Sequence, residues 1–220
     1  MTLPILYSFR RCPYAIRARY TLLMLDVSVQ LREVVLKDKP QALLELGGRT
    51  TVPQMMCHDG ERLEESMDII QYALRQTNRS DLELLWPTSP LKRTKIKTWV
   101  RYNDGWFKYW LDRYKYADRY DESEEFYRKK AEAFIKRLEM RLCHQAFILS
   151  SDAPTIADIC VFPFVRQFVG VNLKWFQDSD YVNVRRWLNG FLECREFEQT
   201  MTKFEKWTPE QEVVVFPAQA

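Results

Sequence analysis

The stretch YSFRRCPYAIRARY, residues 7–20, sets a cysteine between a short apolar run and an amphipathic one. Upstream, LPILYSF (3–9) is short, apolar and rich in β-formers, the pattern of a buried strand. Downstream, Ile16, Tyr20, Leu23 and Val27 recur at helical spacing, predicting a helix from Pro13 to about Asp26. Pro13 suits the first helical position, where its missing N–H costs no hydrogen bond. Cys12 thus stands where a strand hands over to a helix. Unpaired N–H groups and the helix dipole favour an anion there. Arg10, Arg11, Arg17 and Arg19 add positive charge nearby. Both effects favour thiolate over thiol, so Cys12 reads as a nucleophile. Cys57, Cys143, Cys160 and Cys194, in apolar or helical surroundings, read as small buried hydrophobes.

Outward from that junction, VQLREVVL (29–36) is a second strand, and Pro40–Leu46 a short helix stopped by Gly47–Gly48. VPQMMCH (52–58) and RL (62–63) flank the turn DG (59–60), a hairpin pattern. Ser66 is placed to cap a helix running to about Gln76. The order β-α-β-α-β-β-α defines an α/β domain over residues 1–77. NRSDLELLWPTSP (78–90) is rich in turn residues and reads as a linker. From 91 to 220 every strong signal is helical. One helix is expected from Leu91 to Tyr116 and another over 123–148. Thr155 and Asp158 form a capping box that opens a third, which Pro163 should kink or shorten. Val184, Trp187, Leu188 and Phe191 mark a fourth, and the tail 208–220 has no assignable pattern.

Composition sets the outer bounds. The 220 residues are 46% apolar and 14% aromatic with six glycines, which fits a globular, helix-rich protein. Net charge is +3, from 33 basic and 30 acidic side chains spread along the chain, so no footprint for nucleic acid is expected. No signal peptide and no apolar run near the roughly 20 residues of a membrane span is seen, so no membrane partner is expected. Five cysteines without metal-like pairing point to a reducing compartment, the cytoplasm, and to no metal.

Two more segments bear on chemistry. In TTVPQM, Pro53 enters a strand directly after a turn, a setting that suits either a cis bond or an ordinary strand entry. A cis bond would leave the N–H and C=O of Val52 free to pair with an extended peptide. In LEESMDII (63–70), Glu65–Ser66 falls at a helix start, either an ordinary N-cap or a cradle for a ligand carboxylate. Glu65 could then accept from that ligand's ammonium.

Taken together, Cys-Pro at the first helix, Val-Pro and Glu-Ser resemble the glutathione transferase superfamily. Its members have a thioredoxin-like N-terminal domain followed by an all-helical C-terminal domain, an α/β plus all-α fold. The likeness is strongest to the cysteine-containing branch: omega-class transferases, dehydroascorbate reductases and the large bacterial glutaredoxin of the same fold. The spacing from Cys12-Pro13 through LKDKP (36–40) and VP (52–53) to ESM (65–67) agrees with omega-class sequences without gaps. The Thr155–Asp158 box also resembles that of the superfamily's C-terminal domain.

The resemblance implies a role for each position. Cys12 would form a mixed disulfide with glutathione as cosubstrate. The backbone of Val52, before a cis Pro53, would pair with the cysteinyl part, Glu65 and Ser66 would hold the γ-glutamyl end, and Lys39 would reach the glycyl carboxylate. Two departures stand out: GGRTT (47–51) replaces the usual Asn-Pro-x-Gly loop, and Ala15 occupies the place of the second cysteine of dithiol glutaredoxins. Cys12 would therefore act alone, with a second glutathione from solution to resolve it, on a small-molecule or glutathionylated substrate. A homodimer is the common assembly of such proteins.

TWVRYNDGWFKYWLDRYKY (98–116) is unusually aromatic. Trp99, Tyr102, Trp106, Tyr109 and Trp110 share one face and Val100, Phe107, Leu111 and Tyr114 another. The excess would line the superfamily's inter-domain substrate site, with Tyr14, Trp99, Tyr102 and Trp106 as candidates, or form a dimer contact, or fill two ordinary buried faces. Two rival functions remain. One is conjugation of glutathione to electrophiles, activated by Tyr7 at the end of the first strand. The other is a non-enzymatic regulatory or binding role on the same fold, similar to the intracellular chloride channels.

Overall fold

In the computed structural model, residues 3–77 and 79–218 are described. The chain runs β1 (Ile5–Ser8), α1 (Pro13–Met24), β2 (Val29–Glu33), α2 (Gln41–Leu44), β3 (Gln54–Met56), β4 (Arg62–Leu63) and α3 (Ser66–Gln76). It continues through α4 (Leu82–Leu85), α5 (Pro90–Tyr102), a π-helical turn (Asn103–Phe107), α6 (Lys108–Lys115), α7 (Glu124–Leu142) and α8 (Ile156–Val169). The last elements are α9 (Leu173–Gln177), α10 (Val182–Leu192), α11 (Arg195–Thr200) and β5 (Val215–Phe216). The expected α/β domain followed by helices is present.

The sheet order is β4-β3-β1-β2-β5. β1 and β2 are parallel, with Tyr7 opposite Arg32, and β3 lies antiparallel on the other side of β1, with Tyr7 opposite Gln54. α1 crosses over between the two parallel strands and packs against α3 and α11. Its contacts bury more than the single stripe expected from the sequence, since Pro13, Ala15–Leu22 and the long side chains of Arg17 and Arg19 are all buried.

Two compact units result: Met1–Arg79 together with Cys194–Ala220, and Ser80–Glu193. The helical domain therefore does not extend to residue 220, as the sequence reading had it. The chain returns to the first unit, where Leu31 donates to the Val214 carbonyl (2.8 Å) and Trp207 to that of Glu33 (2.9 Å), and β5 adds an edge to β2. A two-residue strand has no periodicity to read, so this return was illegible. The expected linker 78–90 likewise holds α4, and α5 begins at Pro90.

Three helices differ in detail. α7 is capped by Ser123, whose hydroxyl accepts from Phe126 N–H, but ends at Leu142 rather than 148. The Ile148 amide is instead drawn to the carboxylate of Asp158 at 2.8 Å. α8 carries Pro163 without being shortened. Near-complete burial of Ile156–Val165 offsets the roughly 3 kcal/mol that an interior proline costs. The 91–116 helix is interrupted by the π turn. Within and after it Phe107, Leu111 and Tyr114 stay buried, with Phe107 stacked on Phe134 at 4.4 Å, while Trp106 and Tyr109 face outward, 47% and 49% exposed.

Candidate active site

Cys12 is the N-cap of α1, with extended backbone (φ −72°, ψ 123°) and Pro13 following it. Its N–H donates to the Phe9 carbonyl (3.0 Å) and its carbonyl accepts from Ile16 (2.8 Å), which fixes the turn out of β1. The half-buried thiol packs against the cluster of Tyr7, Val34, Leu43 and Val52. Its Sγ donates to the Val52 carbonyl at 3.5 Å, and the Val52–Pro53 bond is cis.

The loop before Val52 connects the other candidates. Lys39 Nζ donates to Thr50 Oγ1 (3.1 Å), and Arg49 Nη1 donates to Glu65 Oε1 (2.5 Å). One five-residue stretch, 48–52, thus touches Lys39, Glu65 and Cys12 in turn. Two residues missed by sequence reasoning give the loop its shape. Gln54, fully buried, donates through Nε2 to the carbonyls of Thr51 (2.8 Å) and Arg49. Arg62 donates to Gln54 Oε1 (2.7 Å from Nη2), to the Leu46 carbonyl (2.6 Å) and to that of Arg49 (3.1 Å). Gly48 has φ +59°, and a Cβ there would sit 3.0 Å from Glu64 Oε1. A buried glutamine and an arginine fork hold GGRTT in place of the usual loop sequence. No sequence period marks such contacts.

Ser66 departs from the expected cap. Glu65 occupies the N-cap position and Ser66 is the first helical residue, with no side-chain cap bond. The buried Ser66 hydroxyl accepts from Arg17 Nε at 2.9 Å, which leaves its own proton to donate. The arginines also differ from the simple positive cloud. Arg17 serves Ser66 and lies 4.9 Å over the Tyr14 ring, Arg19 is locked into a buried network, Arg10 is half-buried, and Arg11 is exposed.

Tyr7 is buried in β1. Its hydroxyl accepts from Arg32 Nη1 (2.5 Å), and Arg32 in turn lies 4.0 Å over the Trp207 ring. Trp99, Tyr102 and Trp106 lie together in the helical unit, where with Thr98, Arg101 and Arg137 they line a cavity of about 350 Å³. Arg137 sits 5.6 and 5.5 Å over the Trp99 and Tyr102 rings. Trp99 is mostly core, packed edge-on against Phe134. Tyr14 belongs to the first unit, on α1.

The five cysteines are free thiols. Cys57 comes together with Asp59 and Glu61 at the hairpin, ligand atoms within 4.8 Å, a grouping that cysteine spacing alone did not show. Burial and the two carboxylates push the Cys57 thiol up to about 11. Among the described residues no helix is long and apolar enough to cross a membrane.

A mixed five-stranded sheet with a cysteine at its first crossover helix, a cis-proline opposite that cysteine, and a following helical unit define the glutathione-transferase fold class. The chain belongs to the glutathione S-transferase superfamily: residues 6–81 match the family model for the glutathione S-transferase N-terminal domain and residues 108–190 that for the C-terminal domain. Glutathione S-transferase 3 of Glycine max is 28% identical over 160 residues, covering 70% of this chain and 68% of that one. Glutaredoxin 2 of Escherichia coli K12 is 28% identical over 102 residues, 46% of this chain and 44% of its own. A glutathione transferase from Pseudomonas putida, solved with one glutathione disulfide per subunit, superposes with a TM-score of 0.73 over 90% of each chain at 19% identity. That last likeness is one of fold.

Proposed function

We propose that this chain is a glutathione-dependent thiol transferase or reductase working through Cys12 alone. The observation that carries this reading is the Cys12 thiol at the start of α1, 3.5 Å from the Val52 carbonyl, with a loop beside it that also contacts Lys39 and Glu65. The likeness to glutaredoxin 2 supports the same chemistry.

Two exchange steps complete the cycle. The Cys12 thiolate attacks the glutathione sulfur of a mixed disulfide, forming Cys12–S–S–glutathione and expelling the substrate thiolate, which takes a proton from water. A second glutathione thiolate then attacks the bound glutathione sulfur, releasing glutathione disulfide and restoring the Cys12 thiolate. The helix start that favours an anion aids both steps, since it keeps Cys12 ionised for attack and makes it a better leaving group. Ala15 offers no internal resolving thiol, and Cys57, with its raised pKa, is a poor nucleophile at neutral pH. Glutathione itself would lie along the Val52 backbone. Its γ-glutamyl end would be held by Glu65, the Ser66 hydroxyl and the α3 start, and its glycyl carboxylate by Lys39.

Variants at three positions test this assignment. Glu65→Gln removes one charged hydrogen bond to the glutathione ammonium, so KM for glutathione should rise about tenfold with kcat unchanged. Tyr7→Phe should leave the rate with a glutathionylated peptide within about threefold, because the phenol is already engaged by Arg32. Steady-state rates with glutathionylated peptide, dehydroascorbate and a conjugating electrophile check both. Activity abolished by Tyr7→Phe and retained by Cys12→Ser would sink the thiol mechanism in favour of conjugation.

A further inference from the structure

Both backbone polar groups of Arg10, two residues before Cys12, are held by one buried ion pair. The Arg10 N–H donates to Glu33 Oε1 (2.7 Å), and its carbonyl accepts from Arg19 Nη2 (2.7 Å). Arg19 Nη1 also donates to Ser8 Oγ (2.7 Å) and lies 3.8 Å from Glu33 Oε2. The two side chains are 1% and 9% exposed. Their hydrogen bonding is incomplete, since Arg19 Nε and Glu33 Oε2 have no hydrogen-bond partner among the described residues. A buried pair of this kind contributes little stability compared with apolar residues of the same volume. What it does here is clamp the turn that presents Cys12.

Among the cations near the cysteine turn, the Arg19 side chain holds a backbone carbonyl of that turn and is itself paired with a carboxylate that holds the adjoining N–H. Arg17 is engaged by Ser66 and Tyr14, Arg32 by Tyr7 and Trp207, Lys39 by Thr50, and Arg49 by Glu65. Arg11 is exposed, and the Arg10 side chain is half-buried. Arg19 is fully buried, and it interacts electrostatically with both Glu33 and Cys12. Burial lowers Arg19 to about 10 and raises Glu33, and the attraction between the two opposes both shifts only in part.

We propose that Arg19 is a positioning residue for Cys12 that also supplies fixed positive charge to its thiolate, and that Glu33 sets how much of that charge the thiol feels. The inference rests on Cys12 being the nucleophile. It makes the two members of one ion pair act in opposite directions on the same thiol. Arg19→Met removes the cation, and Cys12 should ionise at higher pH. Glu33→Gln keeps the oxygen that accepts from Arg10 but removes the negative charge, leaving Arg19 uncompensated, and Cys12 should ionise at lower pH.

The test is the pH dependence of iodoacetamide labelling at Cys12, localised by peptide mass so that Cys143 and Cys194 do not contribute. The midpoint should move up by about one pH unit in Arg19→Met, return most of the way in Arg19→Lys, and move down by about one unit in Glu33→Gln. A purely structural clamp would loosen in both variants and shift them the same way. A Glu33→Gln midpoint that is unchanged or raised overturns the proposal, whether or not Arg19→Met folds. Labelling involves no glutathione. Opposed shifts in the two variants, together with a wild type that forms no glutathione adduct, would therefore overturn the thiol-transferase reading while leaving the roles of Arg19 and Glu33 in place.

Discussion

Asp158→Ala is expected to destabilise the helical unit by about 3–5 kcal/mol, a large part of the 5–15 kcal/mol typical of a whole protein. The carboxylate is completely buried, yet it accepts four hydrogen bonds. Oδ2 takes the Thr155 N–H and hydroxyl, each at 2.9 Å, and Oδ1 takes the Ile148 N–H (2.8 Å) and the Trp187 indole N–H (3.0 Å). One side chain thus caps α8, ties down the turn after α7 and anchors a core tryptophan of α10. Burial pushes its carboxyl above the usual range while the four donors pull the other way, so every donor counts. Alanine would strand all four in a site without water, at about 1–3 kcal/mol each before relaxation. Asp158→Asn should fall between alanine and wild type, because its amide can replace Oδ1 but would face two donors at Oδ2. Urea unfolding of the three proteins, monitored by tryptophan fluorescence, gives the comparison. An alanine variant as stable as wild type would mean the network is ornamental.

The second large effect is confined to chemistry. Cys12→Ser is expected to lower the rate of glutathione-dependent disulfide reduction by about a thousandfold or more, because a serine hydroxyl is not ionised near neutral pH and forms no mixed disulfide. Stability should hardly change. The thiol is half-buried, and an Oγ can keep the contact that Sγ makes to Val52 O. Affinity for glutathione should also survive, since Lys39, Val52, Glu65 and Ser66 are untouched. A thermal melt, a binding titration and a rate measurement on the same preparation separate these quantities. Loss of rate with intact folding and binding is the signature expected of a nucleophile.

The parts of the fold that sequence revealed are those with long periodic segments or strong local punctuation. The strand–Cys–Pro–helix junction, the Asp59–Gly60 hairpin and the Thr155–Asp158 box sit where they were expected, while α2 ends at Leu44, before the expected Gly47–Gly48 stop. The misses share a cause. β5 is two residues long, the π turn at 103–107 alters helical phase by local geometry, and Gln54, Arg62 and Arg49 act through side-chain contacts that follow no sequence period. The arginines near Cys12 show the limit most clearly. Their sequence proximity announced positive charge, but only three-dimensional placement distinguishes Arg17, bonded to a serine, from Arg19, paired with a carboxylate thirty-three residues into the chain.

Intact mass spectrometry after incubation with glutathione disulfide tests the central claim most directly. The wild type is expected to gain one glutathione, localised to Cys12 and removed by reduced glutathione, and Cys12→Ser is expected to gain none at that position. An unmodified Cys12, or a single adduct on the exposed Cys143 that persists unchanged in Cys12→Ser, would contradict it.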